Sequence, residues 1–272
     1  MFPRILHIYG PLWINSYGVM IAIGFLVFMY LFYKDKKRKQ IIDDELFFNT
    51  VFYGLIAGIV GGRLFAVVTD FELFRHNLIE IFYPWVGGFG ITGSILGVLF
   101  FEYFYLKKNN IAVLPLFDRA VIYAPLMQSI ARWGCFFAGC CYGKVSQNCA
   151  YSVVFTNKEG LAPLNVPLHP TQLYFSFASF LIFLLMYFFF QKKFSKNGQL
   201  LFIYLTLESI SRFYLDFYRG DREIDFIKCF GPVCFELSKI QVISFVIFIF
   251  AIIGLVLVTV VRLSNKRLSN KN

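Results

Sequence analysis

Charge is scarce in this chain and acid is scarcest: Asp and Glu number 16, and charged residues make up 15% of 272 positions. That is too little for an ordinary soluble domain, where about a quarter of residues are charged. No glycine-rich phosphate loop is present, which excludes a P-loop nucleotide site. No segment repeats, so neither a solenoid nor the paired broken helices of many transporters is expected. The start, MFPRILHIYGPLWINSYG, has no apolar stretch followed by a small-residue cleavage site, so no cleaved signal peptide is expected. Cys135, Cys140 and Cys141 form a C-x4-C-C run without zinc spacing, a nearby histidine or a second cysteine pair. No metal and no other cofactor is therefore expected.

What the chain has is apolar: 58% hydrophobic and 20% aromatic residues, with 36 Phe. This composition predicts an all-α, polytopic membrane protein. Crossing the hydrocarbon core takes about 20 apolar residues. Suitable runs fall at 16–33, 47–69, 87–106, 119–140, 170–190, 199–218 and 240–262. They predict about seven spans in a single transmembrane domain, 1–272. The run from 119 is the most polar, with Arg119, Pro125, Gln128 and Arg132, and is expected to face protein.

The net charge of +10 points to topology and not to nucleic acid, because it gathers in short flanks: KDKKRK (34–39), KK (107–108), QKKFSK (191–196) and the tail 262–272. The intervening loops 70–86, 141–169 and 219–239 mix acid with base. The positive-inside rule puts the basic flanks in the cytoplasm, the N-terminus outside and the C-terminus inside. Loops 141–169 and 219–239 are then the larger outer-side loops, next to the spans that carry Arg132 and Arg212.

Arg63, Arg132 and Arg212 each sit in or beside an apolar run. A guanidinium stays charged at any workable pH, and charge at membrane depth marks a pathway or a site. Converging arginines suit a phosphodiester. In GIVGGRLFAVV (58–68) the glycines fit a helix-packing seam, although packing needs no arginine. GGFGITGSILG (87–97) fits either another seam or a bent stretch whose backbone N–H groups cradle a head group.

In the densest stretch, 118–145, Asp118 can pair with Arg119 or with a distant arginine, and Gly134 allows a close backbone approach. Its cysteines read as small apolar residues in a crowded seam, with Cys135 alternatively a reactive thiolate beside Arg132. In HPTQLYFSF (169–177), His169 is either a proton carrier at the mouth of the fifth span or a local loop contact. In SISRFYLDFYRGD (209–221), Arg212 and Asp216 stand at i,i+4, and an ion pair between them is expected. Cys149, Cys229 and Cys234 fall on outer loops, where one disulfide of unassigned pairing is plausible chemistry.

In order along the chain, GPLWINSYGVMIAIGF (10–25), GGRLFAV, GGFGITGSILG, the segment from Asp118 to Arg132, HPTQLY and RFYLDFYR resemble the prolipoprotein diacylglyceryl transferases of bacteria. The family's signature reads approximately G-R-x-G-N-F-x-N-G-E-x-x-G, and here it is A-R-W-G-C-F-F-A-G-C-C-Y-G (131–143). Arg132, Gly134, Phe136, Gly139 and Gly143 match. Cys135, Ala138 and Cys140 replace two asparagines and an acid, and Thr92 replaces a family histidine.

The resemblance implies transfer of the diacylglyceryl group of phosphatidylglycerol to the lipobox cysteine thiol of a preprolipoprotein, with release of glycerol 1-phosphate. It implies a multi-pass enzyme of the bacterial cytoplasmic (inner) membrane with its site toward the outer leaflet. By position it makes Arg132, Arg212 and His169 catalytic, and gives Tyr17, Arg63, Gly93, Gln172, Cys135 and Gly139 to substrate binding. The replaced positions leave a second expectation, a divergent member that moves a lipid-derived group to a different acceptor.

Overall fold

Each long apolar run contains a helix among the described residues. In chain order these are α1 (Ser16–Lys34), α2 (Lys36–Lys39), α3 (Asp44–Thr69), α4 (Phe71–Phe74), α5 (Ile91–Lys108), α6 (Val113–Ala138), α7 (Thr171–Leu184), α8 (Gln191–Lys193), α9 (Gln199–Asp216) and α10 (Lys239–Ser269). A π-helical stretch, Leu185–Phe190, joins α7 to α8. Among the described residues three short strand pairs accompany the helices: β1 (Arg4–Tyr9) with β2 (Leu12–Asn15), and the antiparallel pairs β3 (Val153–Val154) with β4 (Pro167–Leu168) and β5 (Ile224–Phe230) with β6 (Val233–Ser238). This computed structural model describes residues 2–9, 12–75, 77, 79, 81, 90–146, 151–194, 196–222, 224–230 and 233–269. Gly87, Gly88 and Cys149 lie outside them. The register sets Cys229 opposite Cys234.

Among the described residues, four helical segments are long and apolar enough to cross a membrane: Ser16–Lys34, Asp44–Thr69, Thr171–Lys193 and Lys239–Val260. The protein is thus a mainly helical membrane protein. Its surface is inverted relative to a soluble fold. Phe100, Phe177 and Phe250 are 60–70% exposed, whereas Thr171, Gln172, Asp216 and Gln241 are fully buried. In lipid an exposed phenyl ring costs nothing, while a polar group must find its partners inside.

The chain divides into two units. One is Asp35–Leu116 with Gly10–Leu12, and the other holds the remainder. In the first, Asp43 caps α3 by accepting from the Leu46 N–H at 2.7 Å, and Asp44 and Glu45 follow in the first turn, where the helix dipole favours acid. α3 and α5 pack backbone to backbone. A Cβ at Gly97 would stand 2.6 Å from the Ala57 carbonyl oxygen and 3.1 Å from Gly61 Cα, and one at Gly61 would meet the Gly93 oxygen at 2.5 Å. Both glycine-rich motifs therefore meet in one seam, and α5 is a regular helix from Ile91 onward. Gly97→Val is expected to lower stability by about 1–3 kcal/mol through overpacking. Gly18→Ala, which meets nothing within 4 Å, is expected to be neutral. Thermal unfolding in detergent compares the two variants.

In the second unit, α6 is the central strut. Glycines let α1 lie against it: a Cβ at Gly24 would be 2.9 Å from the Met127 oxygen, and one at Gly134 would be 3.0 Å from Tyr17 Cα. The Ser129 and Ser176 hydroxyls meet at 3.1 Å across α6 and α7. At the other end of α6 the buried Asp118 accepts from the backbone N–H groups of Gly198 and Leu201, the latter at 2.8 Å. It therefore caps α9 from a neighbouring helix. The positive end of the α9 dipole and its unsatisfied donors stabilise a carboxylate there.

Candidate functional site

The C-terminus of α6 closes in a Schellman motif. The Gly139 N–H donates to the Phe136 carbonyl (3.3 Å) and the Cys140 N–H to the Cys135 carbonyl (3.1 Å), with Gly139 in the left-handed region at φ +74°. Glycine supplies that conformation without a Cβ penalty. The turn folds Cys140 back over Cys135. Cys141 follows, itself left-handed at φ +55°. Strained residues of this kind gather at functional sites.

The chain after this turn joins the ends of three helices. The Gly143 N–H donates to the His169 carbonyl (3.1 Å), the His169 N–H to the Lys144 carbonyl (3.0 Å), the Lys144 N–H to the Tyr218 carbonyl (2.8 Å) and the Gly220 N–H to the Tyr142 carbonyl (2.9 Å). Two fully buried side chains from the first turn of α7 hold the turn from behind. Thr171 Oγ1 donates to the Cys141 carbonyl at 2.7 Å, and Gln172 Nε2 donates to the Cys140 carbonyl at 2.8 Å.

Arg132 lies on α6 one turn before Cys135, with its guanidinium 4.5 Å from the centre of the Phe175 ring on α7. Among the described residues no carboxylate pairs with it. A half-buried cation that rests on an aromatic face without an anion is prepared for an anionic ligand. Tyr17, in the first turn of α1, lies within electrostatic range of Arg132 and of all three thiols. His169 Nδ1 is 3.2 Å from Tyr174 Oη, and its ring packs edge-on to Tyr218.

Hydrogen bonds from the Cys135 and Cys140 thiols hold the Cys141 thiol well below its ordinary pKa, with help from Arg132 and Arg219 and against the effect of burial. Burial works against the Arg219 charge, but Asp221 more than offsets it, with carboxylate oxygens 2.9 Å from Nε and 3.0 Å from Nη2.

The expected Arg212–Asp216 pair does not form. Arg212 Nε bonds Glu208 Oε1 at 2.8 Å, one turn toward the N-terminus. An acid that precedes its base at i,i+4 is the better-oriented arrangement on a helix. Asp216 instead turns inward and is 1% exposed. It accepts from Ser238 Oγ at 2.5 Å and stands 3.3 Å from Arg222 Nε and 3.8 Å from Arg219 Nη1. Glu208, Arg219 and Arg222 are thus site-adjacent residues that sequence reasoning did not single out. The dense alternation in RFYLDFYRGDR was the signal for Arg219 and Arg222, and the acid one turn before Arg212 was the signal for Glu208.

Beside Arg212, an apolar groove of about 270 Å³ runs between α9 and α10, lined by Ser209, Phe213, Tyr214, Ser244, Phe245 and Phe248. Arg63 and Gly93 belong to the other unit. Arg63 Nε donates to the Ile81 carbonyl at 2.7 Å, its guanidinium stands 4.8 Å from the Phe74 ring centre, and Gly93 lies on the seam with α3.

A partly unpaired arginine, a tyrosine, a histidine–tyrosine pair and three thiols therefore surround the end of one helix. This arrangement can bind a phosphate and manage a sulfur nucleophile. The family model described as prolipoprotein diacylglyceryl transferase matches residues 3–257. Relatives named phosphatidylglycerol–prolipoprotein diacylglyceryl transferase include one from Clostridium tetani, 39% identical over 81% of this chain and 86% of that protein. A second such enzyme from Clostridium perfringens is 34% identical over 76% of this chain and 80% of its own length. One from Thermotoga maritima is 31% identical over 78% and 73%.

Proposed function

Because the chain belongs to the prolipoprotein diacylglyceryl transferase family, we propose that it moves the diacylglyceryl group of phosphatidylglycerol onto the lipobox cysteine thiol of a preprolipoprotein and releases glycerol 1-phosphate. It is a membrane-embedded transferase of lipoprotein biosynthesis. The single observation that carries the site assignment is Arg132: a fixed cation on the Phe175 ring with no carboxylate partner among the described residues.

The chemistry is displacement at a glycerol carbon. The acceptor sulfur forms the S–C bond, the C–O bond to phosphate breaks, and negative charge gathers on the departing phosphate ester. A cation already in place for that charge needs no reorganisation during the reaction. Arg132 holds the phosphate. Arg212 is the second catalytic cation, and Glu208 holds it in an ion pair at 2.8 Å. His169, ordered by Tyr174, handles the acceptor proton. Tyr17, Gln172, Cys135 and Gly139 shape the head-group side, and family position assigns lipid contact to Arg63 and Gly93. The groove between α9 and α10 suits an acyl chain.

The chain spans the bacterial inner membrane seven times as one transmembrane domain, 1–272, with its N-terminus outside and its C-terminus in the cytoplasm. Loops 141–169 and 219–239 face outward, and the site opens to the outer leaflet. Four basic flanks in alternate loops, all on one side, support that orientation.

Expression in a strain lacking lipoprotein modification tests the function, with lipid attachment to a reporter lipoprotein as the readout. Attachment is the expected result. A folded, membrane-inserted protein that attaches nothing supports the different-acceptor reading, which Cys135, Cys140 and Thr92 motivate.

A further inference from the structure

The transfer chemistry above leaves the Cys140 and Cys141 thiols without a role and gives Cys135 only a place on the head-group side, yet all three are held as a built site. The Sγ atoms of Cys135, Cys140 and Cys141 all lie within 4.8 Å of one another, and all three cysteines are free. In sequence their spacing fits no zinc motif. The Schellman turn brings Cys140 over Cys135, and the left-handed backbone of Cys141 adds the third sulfur.

Three thiolates around one ion, each about 2.3 Å from it, stand about 4 Å apart, which this cluster reaches through side-chain rotation. The carbonyls of Cys140 and Cys141 are fixed by the buried Gln172 and Thr171, an outer layer that holds ligands in place. Gln172 is fully buried, and its Oε1 has no hydrogen-bond partner among the described residues. Three thiolates and a dication leave one net negative charge. Arg132 and Arg219, both within electrostatic range of Cys141, favour that charge.

We propose that Cys135, Cys140 and Cys141 form a three-thiolate site for a soft divalent cation of the zinc class, and that the fourth position takes the acceptor thiol. A tetrahedral ion with three protein ligands keeps one position open. A thiol that binds there loses its proton, which passes to His169 as in the transfer chemistry above. The metal-bound sulfur then forms the S–C bond as the C–O bond breaks, and the electron pair leaves on the phosphate held by Arg132. The first half of the proposal stands alone, and the acceptor's ligation rests on the transferase reading.

The test uses the full chain in detergent, reduced and stripped of metal by a chelator, then titrated with Cd²⁺ while thiolate-to-metal charge transfer is followed in the ultraviolet. The expected result is one ion per chain. Serine at any of the three positions is expected to weaken binding at least ~10-fold, and Cys229→Ser is expected to leave it unchanged. A lipobox peptide is expected to raise the absorbance by about a third, as a fourth thiolate joins three, and its Cys→Ser counterpart to do nothing. Failure of the folded, reduced wild type to bind overturns the site, as does binding unchanged in all three variants or a disulfide that forms in preference to metal. None of these touches the transferase reading, which complementation tests separately. Metal binding without a response to the peptide overturns ligation of the acceptor alone.

Discussion

Arg132→Ala is expected to lower transfer from labelled phosphatidylglycerol to a lipoprotein acceptor by about 10²–10³-fold, equivalent to about 3–4 kcal/mol of transition-state stabilisation. The guanidinium lies on the Phe175 ring with no carboxylate to neutralise it among the described residues. Its removal therefore strands no buried partner, and the variant is expected to unfold thermally near the wild type. Arg132→Lys keeps the charge but loses the planar fork that meets two phosphate oxygens at once and stacks on an aromatic face. Its activity is expected to fall between the two. Full activity in the alanine variant would remove the phosphate-binding assignment.

Asp216→Ala is expected to cost about 3–5 kcal/mol of stability, the range for a buried ion pair that loses one member. Asp216 is 1% exposed and faces two guanidinium side chains, Arg219 and Arg222, which are 15% and 7% exposed. It also accepts from Ser238, next to the start of α10. Its loss leaves those cations without their shared anion and releases the contact between α9 and the β6–α10 junction. Thermal unfolding in detergent is the measurement, with a fall of roughly 10 °C expected for a chain of this size. Asp221→Ala is the control. That carboxylate is 27% exposed and among the described residues engages only Arg219, so a change below about 1 kcal/mol is expected. Equal effects from the two substitutions would show that burial does not set the strength of this network.

These two residues differ in how far the sequence revealed them. Arg132 was visible as a guanidinium in an apolar run, because a charge at that depth has few ordinary uses. Asp216 was visible too, but with the wrong partner. Arg212 has an acid four residues away on either side, and helical spacing alone does not choose between them. Ser238, Arg219 and Arg222 decided it by drawing Asp216 inward. Asp118 repeats the point, for its partners are the backbone donors of a helix that begins 81 residues later, at Gln199.

By itself, the sequence determined which segments are helices and that several of them lie in a membrane, because apolar run length is a local property and lipid tolerates little else. It also carried the ordered motifs of the family. Tertiary structure alone decided the convergence of the three thiols, the anchoring of their carbonyls by Thr171 and Gln172, and the exchange of ion-pair partners around Arg212. Those depend on a left-handed turn after α6 and on contacts between separate helices, and residue spacing along one chain does not encode either.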